Sequence, residues 1–228
     1  MTANRSPIPG SPISDPRVPT IYPDIDTAVC RDRGYDPVAL AEACLRGGAR
    51  LLQLRAKDDS SASLTDLADR IVAAAHARGA KVIINDRADI ARLVQADGVH
   101  VGQTDLPITS VRSIVGPDAI VGLSTHDQRQ IDEALAGAAT YVAVGPVFST
   151  ATKATGYTAR GLDLVRYAAG RGKPIVAIGG ITLERSADAV AAGASALAVI
   201  ADLLADSDPE TRVRSFVERL PAPPFKVY

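Results

Sequence analysis

Apolar and polar positions along this chain alternate in one repeated rhythm. A short run of Leu, Ile, Val or Ala is followed by a polar loop, then by an Ala-rich stretch with apolar positions three and four apart. The short runs predict strands over 20–25, 51–55, 81–84, 98–101, 120–123, 141–144, 174–178 and 196–199. The longer stretches predict helices over 37–46, 63–78, 88–95, 108–115, 127–136, 162–169, 183–192 and 209–220. Pro23 interrupts the first run, and proline fits poorly inside a strand because it cannot donate to the ladder.

A faint repeat supports this parsing. Gly48-Ala49, Gly137-Ala138 and Gly193-Ala194 each close a helical stretch just before an apolar run, with Ala96-Asp97-Gly98 as a looser copy. Glycine ends helices because it adopts the left-handed conformation at no steric cost. Eight strand–helix units with short connections predict the α/β class and a single compact (β/α)8 TIM barrel over 18–220. An open doubly wound sheet is the alternative, but the G-x-G-x-x-G turn expected after its first strand is missing. Residues 1–17 are rich in Pro, Ser and Gly and bury too little to repay ordering, which predicts a disordered N-terminal tail. Residues 221–228, also proline-rich, read as a C-terminal tail.

Composition narrows the function classes. The 228 residues carry 25 Lys plus Arg against 26 Asp plus Glu, and no basic run concentrates positive charge. A nucleic-acid or anionic-membrane partner is therefore not expected. Aromatics are 4% and Trp is absent, so no base-stacking platform is available. No apolar stretch approaches the roughly 20 residues that span a bilayer. The first sixteen residues lack the apolar centre of a secretory signal. Two cysteines, Cys30 and Cys44, have neither metal-type spacing nor the density of a disulfide scaffold. The expectation is a soluble cytoplasmic protein that handles small molecules.

In a barrel of this type the active site lies at the C-terminal ends of the strands. Gln53, Arg55 and Lys57 alternate at the end of the second strand, so they share one face, while Leu52, Leu54 and Ala56 face the helices. Two cations and an amide converging there suit an anion, although a wet strand end would also tolerate them. Asn85-Asp86-Arg87 leaves the third strand, and Gln103-Thr104-Asp105 follows the fourth. Asp86 and Asp105 could together hold a hard cation such as Mg²⁺, or either could be a helix cap, and spacing leaves both readings open. Ser124-Thr125-His126 follows the fifth strand, where Ser124 or Asp127 could also cap a helix. His126 has no carboxylate at catalytic spacing, His100 lies inside a strand and His76 inside a helix, and all three read as packing or surface residues. The loop 145–157 clusters hydroxyls around Lys153. Gly179-Gly180 follows the seventh strand, and Ile200-Ala201 leads from the eighth into a short helix. The last two loops are the usual phosphate site of the fold.

Taken together, QLRAK (53–57), NDR (85–87), GVHVGQTDLP (98–107), GLSTH (122–126), GPVFSTATK (145–153) and AIGGI (177–181) resemble the thiamine phosphate synthase family. They occur in family order across about 45–203. The resemblance implies a Mg²⁺-dependent transferase that condenses hydroxymethylpyrimidine diphosphate with a thiazole phosphate, giving thiamine phosphate and pyrophosphate. It implies that Gln53, Arg55, Lys57, Asn85, Ser124 and Lys153 contact the pyrimidine diphosphate, with Arg55, Lys57 and Lys153 supplying the catalytic positive charge. It implies Asp86 and Asp105 as Mg²⁺ ligands, Thr150, Ala151 and Thr152 as the thiazole-phosphate loop, and Gly180, Ile200 and Ala201 as the backbone-rich phosphate site. A homodimer is also implied.

Three positions depart from the family pattern: Ala201 where Ser is usual, Ser149 where Pro is common, and the opening strand around Ile21-Tyr22-Pro23-Asp24. The alternatives are a thiazole tautomerase, a non-catalytic sensor of a thiamine precursor, and an unrelated sugar-phosphate enzyme. The intact charged set Arg55, Lys57, Asp86, Asp105 and Lys153 favours the synthase over the tautomerase, which needs no diphosphate–metal site.

Overall fold

The structure, a computed structural model, describes residues 20–149 and 158–220. Eight parallel strands close into a barrel in sequence order. They are β1 (Thr20–Asp26), β2 (Leu51–Arg55), β3 (Lys81–Asn85), β4 (Gly98–Val101), β5 (Ile120–Thr125), β6 (Tyr141–Val144), β7 (Ile175–Ala177) and β8 (Ala196–Val199). The helices are α1 (Thr27–Arg33), α2 (Pro37–Arg46), α3 (Ser61–His76), α4 (Ala88–Leu93), α5 (Ile108–Val115), α6 (Gln128–Ala136), α7 (Leu162–Ala168), α8 (Ser186–Ala191) and α9 (Pro209–Arg219). A 3₁₀ turn, Ala201–Leu204, follows β8. None of the helices among the described residues is long and apolar enough to cross a membrane. Both expected tails lie outside the described residues.

Strand periodicity sorts the core into two layers. Leu52, Leu54, Val82, Ile84, Val99, Val101, Val142 and Val144 face outward and pack beneath the helices. Tyr22, Leu51, Ile83, Ile120, Tyr141, Val176 and Ala196 fill the interior. The alternation read at Gln53 and its neighbours therefore holds: Leu52 and Leu54 belong to the outer layer, whereas Gln53 lines the interior cavity.

The first strand forms as expected, with Pro23 inside β1. The pairing with β8 covers Thr20 to Pro23, and the pairing with β2 begins at Asp24. The proline thus sits where one ladder hands over to the other, and its missing N–H interrupts neither. Helix α1 was not foreseen. Asp26 caps it by accepting from the amides of Ala28 and Val29 at 3.0 and 3.1 Å, and Gly34 ends it at φ +69°. Helix α8 starts at Ser186 rather than 183, because Thr182 to Arg185 is spent on a turn.

Candidate active site

A cavity of about 330 Å³ opens at the C-terminal ends of the strands. Its wall includes Gln53 from β2, Ser124 from β5, Gly180 after β7, and Ile200 and Ala201 after β8, all expected from the sequence. Tyr22, Asp24, His100, His126 and Arg185 also line it. Gln53 is 4% exposed, and its Oε1 has no hydrogen-bond partner among the described residues. A buried acceptor left in this state is costly unless a ligand supplies the donor.

Arg55, Lys57, Asn85, Asp86 and Asp105 stand beside this cavity, at the ends of β2 to β4, rather than in its wall. Arg55 makes a short ion pair with Asp26, which the sequence reading missed. Asp26 is almost fully buried, so Arg55 arrives at the site already paired. Its guanidinium has five N–H donors, so the pair leaves donors for an anion. Lys57 Nζ lies 3.2 Å from Asp86 Oδ2, and its side chain is 50% exposed.

Of the two readings left open for the aspartates, the structure speaks to the helix cap. Arg87 and Pro107 occupy the N-cap positions of α4 and α5, and neither Asp86 nor Asp105 caps them. Asp105 instead accepts the Gly102 amide at 2.7 Å. Burial, and then the charge of Asp105, raise the Asp86 carboxyl above the usual range, while Lys57 works against them. A carboxyl whose charge is disfavoured by a neighbouring carboxylate, at the mouth of the barrel, fits a hard divalent cation. No group of three or more His, Cys, Asp or Glu forms a metal cluster among the described residues. The donor set therefore suits Mg²⁺, which takes one or two carboxylates and completes its shell with substrate phosphate and water.

Asp127, not Ser124, caps α6, through the Gln130 amide at 2.8 Å. Ser124 Oγ instead lies 2.8 Å from His100 Nε2, so His100 belongs to the site rather than to plain packing. His126 is buried, and its Nδ1 donates to the Gly145 carbonyl at 2.6 Å. Burial lowers its pKa, so it stays neutral. His76 pairs with Asp97 at the surface, as expected of a helix residue.

On the far side the loops after β6, β7 and β8 are laced together. Val147 and Phe148 donate their amides to the carbonyls of Ile178 and Gly179 at 2.8 and 3.0 Å. Gly180 has φ +65°, and a Cβ there would come 2.6 Å from the Ser149 carbonyl oxygen. Only glycine fits such a place without strain. Asp202 accepts the Leu183 amide at 3.0 Å and binds Arg212 of α9, which ties the β8 loop to the β7 loop. Arg185 lies over the Phe148 ring at 4.9 Å and donates to the Gly180 carbonyl at 2.9 Å. Thr150, Ala151, Thr152 and Lys153 lie outside the described residues.

A floor of polar side chains, an acidic pair with lysine, and a glycine-built cradle thus share one barrel mouth. The family model for thiamine monophosphate synthase matches residues 24–203. The chain belongs to the thiamine monophosphate synthase family. A thiamine-phosphate synthase from Anaeromyxobacter dehalogenans is 44% identical over 178 residues, 78% of this chain and 80% of that protein. One from Mycobacterium bovis is 42% identical over 208 residues, covering 84% of this chain and 91% of its own length. Among solved structures, the thiamine phosphate pyrophosphorylase of Pyrococcus furiosus superposes with a TM-score of 0.80 at 26% identity, covering 88% of this chain and 94% of that one. The family model's range, Asp24 to Leu203, takes in the site described above apart from Tyr22 and Arg212.

Proposed function

We propose that the protein condenses hydroxymethylpyrimidine diphosphate with a thiazole phosphate to give thiamine phosphate and pyrophosphate. Family membership supports the reaction, and relatives above 40% identity carry the synthase name. The observation that carries the site assignment is the mouth itself: it offers a charged rim for a diphosphate and a separate cradle for a second phosphate. Tautomerase chemistry has no use for the first of these, so that alternative finds no support here.

The residues divide the work. Gln53 and Ser124 hold the pyrimidine from the cavity floor. Asn85, Arg55, Lys57 and Lys153 surround the diphosphate. Asp86 and Asp105 would hold Mg²⁺, which neutralises charge on the departing pyrophosphate. The pyrimidine CH₂–O bond breaks, the electron pair leaves with pyrophosphate, and the ring's amino group delocalises the positive charge. The thiazole nitrogen then supplies the pair for the new C–N bond. No protein nucleophile or general base enters, which accords with neutral, carbonyl-bound His126. The protein's contribution is alignment of two rings and stabilisation of a leaving anion. Gly180, Ile200 and Ala201, with Thr150, Ala151 and Thr152, fix the thiazole phosphate, whose binding energy goes into positioning.

The expected homodimer belongs to the same proposal. Leu93, Leu106 and Ile114 are 69%, 46% and 37% exposed around α4 and α5, an apolar surface that suits a second copy. Light scattering at micromolar concentration reads the stoichiometry. For the reaction, both substrates and Mg²⁺ are mixed with the protein, and pyrophosphate and thiamine phosphate are followed together. Equal release of the two, abolished by EDTA, is expected. Binding of either substrate with no product would overturn the synthase in favour of a sensor.

A further inference from the structure

The barrel interior contains a chain of hydrogen bonds that the reaction above does not by itself require. Tyr22 Oη lies 3.0 Å from Tyr141 Oη, Tyr141 Oη lies 2.8 Å from His100 Nδ1, and His100 Nε2 lies 2.8 Å from Ser124 Oγ. The rings are packed for it: the two tyrosines meet edge to face, and His100 stacks on Tyr141 with centroids 5.6 Å apart. Gly122 makes the room, since a Cβ there would come 2.1 Å from Tyr141 Cζ and 2.5 Å from His100 Nδ1. A strand position has been emptied so that two rings can stack.

The chain has a direction, and its closed end sets it. Burial pushes both phenols above their usual range, so both keep their protons at neutral pH. The Tyr22 hydroxyl has Tyr141 as its only hydrogen-bond partner among the described residues. Were Tyr22 the acceptor, its own buried proton would have nowhere to go, a state that folded proteins avoid. Tyr22 therefore donates to Tyr141, and Tyr141 spends its single proton on His100 Nδ1. That nitrogen must then be a lone pair, so the imidazole proton sits on Nε2 and is donated to Ser124 Oγ. The Ser124 proton is left to point into the cavity.

We propose that His100 is a positioning residue, held by Tyr22 and Tyr141 in the Nε2–H form so that Ser124 is a hydrogen-bond donor to a pyrimidine ring nitrogen. This rests on the substrate reading given above. It also matches the opposite demand at Gln53, whose unpartnered Oε1 is an acceptor suited to the ring's amino group. An acceptor and a donor lining one cavity select an aminopyrimidine over a ring with the reverse pattern.

Nitrogen-15 NMR of the ligand-free protein at pH 7 reads the tautomer directly. The His100 signal is assigned by its loss in His100→Gln or, should that variant misfold, by through-space contacts to the Tyr141 ring. The Nε2–H form is expected in the wild type, with a shift towards the other tautomer in Tyr141→Phe. Tyr141→Phe should raise KM for the pyrimidine diphosphate about tenfold, the scale of one lost hydrogen bond, and leave KM for the thiazole phosphate unchanged. In a Ser124→Ala background the same change should add almost nothing. An Nδ1–H tautomer in the wild type overturns the proposal, as does an equal cost of Tyr141→Phe in both backgrounds, which would mark a packing role. The NMR result stands whether or not the wild type makes thiamine phosphate, so failure of the reaction assignment is told apart from failure of the relay.

Discussion

On the β2–β4 side of the barrel mouth, the polar groups are side chains, and they arrive in compensating pairs. Arg55 is held by Asp26, and Lys57 by Asp86. On the β6–β8 side they are backbone, arranged by glycines too confined to accept a Cβ and by amide–carbonyl bonds between successive loops. On the function proposed above, the first half holds charge that a diphosphate and a cation would redistribute. The second is a fixed mould whose energy was spent during folding. Perturbing the first should change the chemistry, and perturbing the second should change where the thiazole phosphate sits.

The largest effect tests the charged half. Asp105→Ala removes one of two carboxylates and should lower turnover about a hundredfold, near 3 kcal/mol of transition-state stabilisation. The fold should survive, since Asp105 makes one loop bond to Gly102 and caps no helix. Turnover titrated with Mg²⁺, alongside circular dichroism, checks both halves of the statement. Undiminished Mg²⁺-dependent turnover contradicts the metal assignment.

Gly180→Ala tests the mould. The new methyl meets the Ser149 carbonyl at 2.6 Å in a left-handed backbone conformation. KM for the thiazole phosphate should rise about thirtyfold, equivalent to ~2 kcal/mol, with KM for the pyrimidine diphosphate little changed. A rise in both would mean that the two halves are coupled. Arg185→Ala should do less. It removes a cation from the cavity wall and a bond to the Gly180 carbonyl, but the residue is exposed. About fivefold in the same KM is expected, and the effect should shrink with added salt, as it does for exposed charges.

The contrast between the halves also explains what was legible in the sequence. β2, β4, β6 and β8, with α2 and α5, have the bounds expected from periodicity. Gln53, Arg55 and Lys57 showed themselves because polar residues at alternate strand positions are conspicuous. Gly180 could be seen as a glycine, but its confinement by Ser149 is tertiary and leaves no local mark. Asp26 was missed for the same reason, its partner Arg55 being 29 positions away. Yet the cap at Asp26 and the stop at Gly34 were in plain view, and together they signal α1. His100 read as packing because it lies inside a strand. Its partners, Ser124 on the neighbouring β5 and Tyr141 on β6 beyond it, are brought into reach only by the lateral pairing of these strands.

The smallest change sharpens the comparison most. Ala201, read from the sequence resemblance as a departure from serine, begins the 3₁₀ turn after β8, in the cavity wall. If the mould works through backbone amides, a hydroxyl there is a supplement. Ala201→Ser should then lower KM for the thiazole phosphate only two- to threefold, roughly 0.5 kcal/mol, the low end for one added hydrogen bond. It should not alter turnover, because a contact made equally in ground and transition states changes binding alone. Steady-state kinetics at saturating pyrimidine diphosphate reads both quantities. A gain of fiftyfold or more would show that the cradle had been lacking its principal donor, and that this half of the site depends on side chains as the other does.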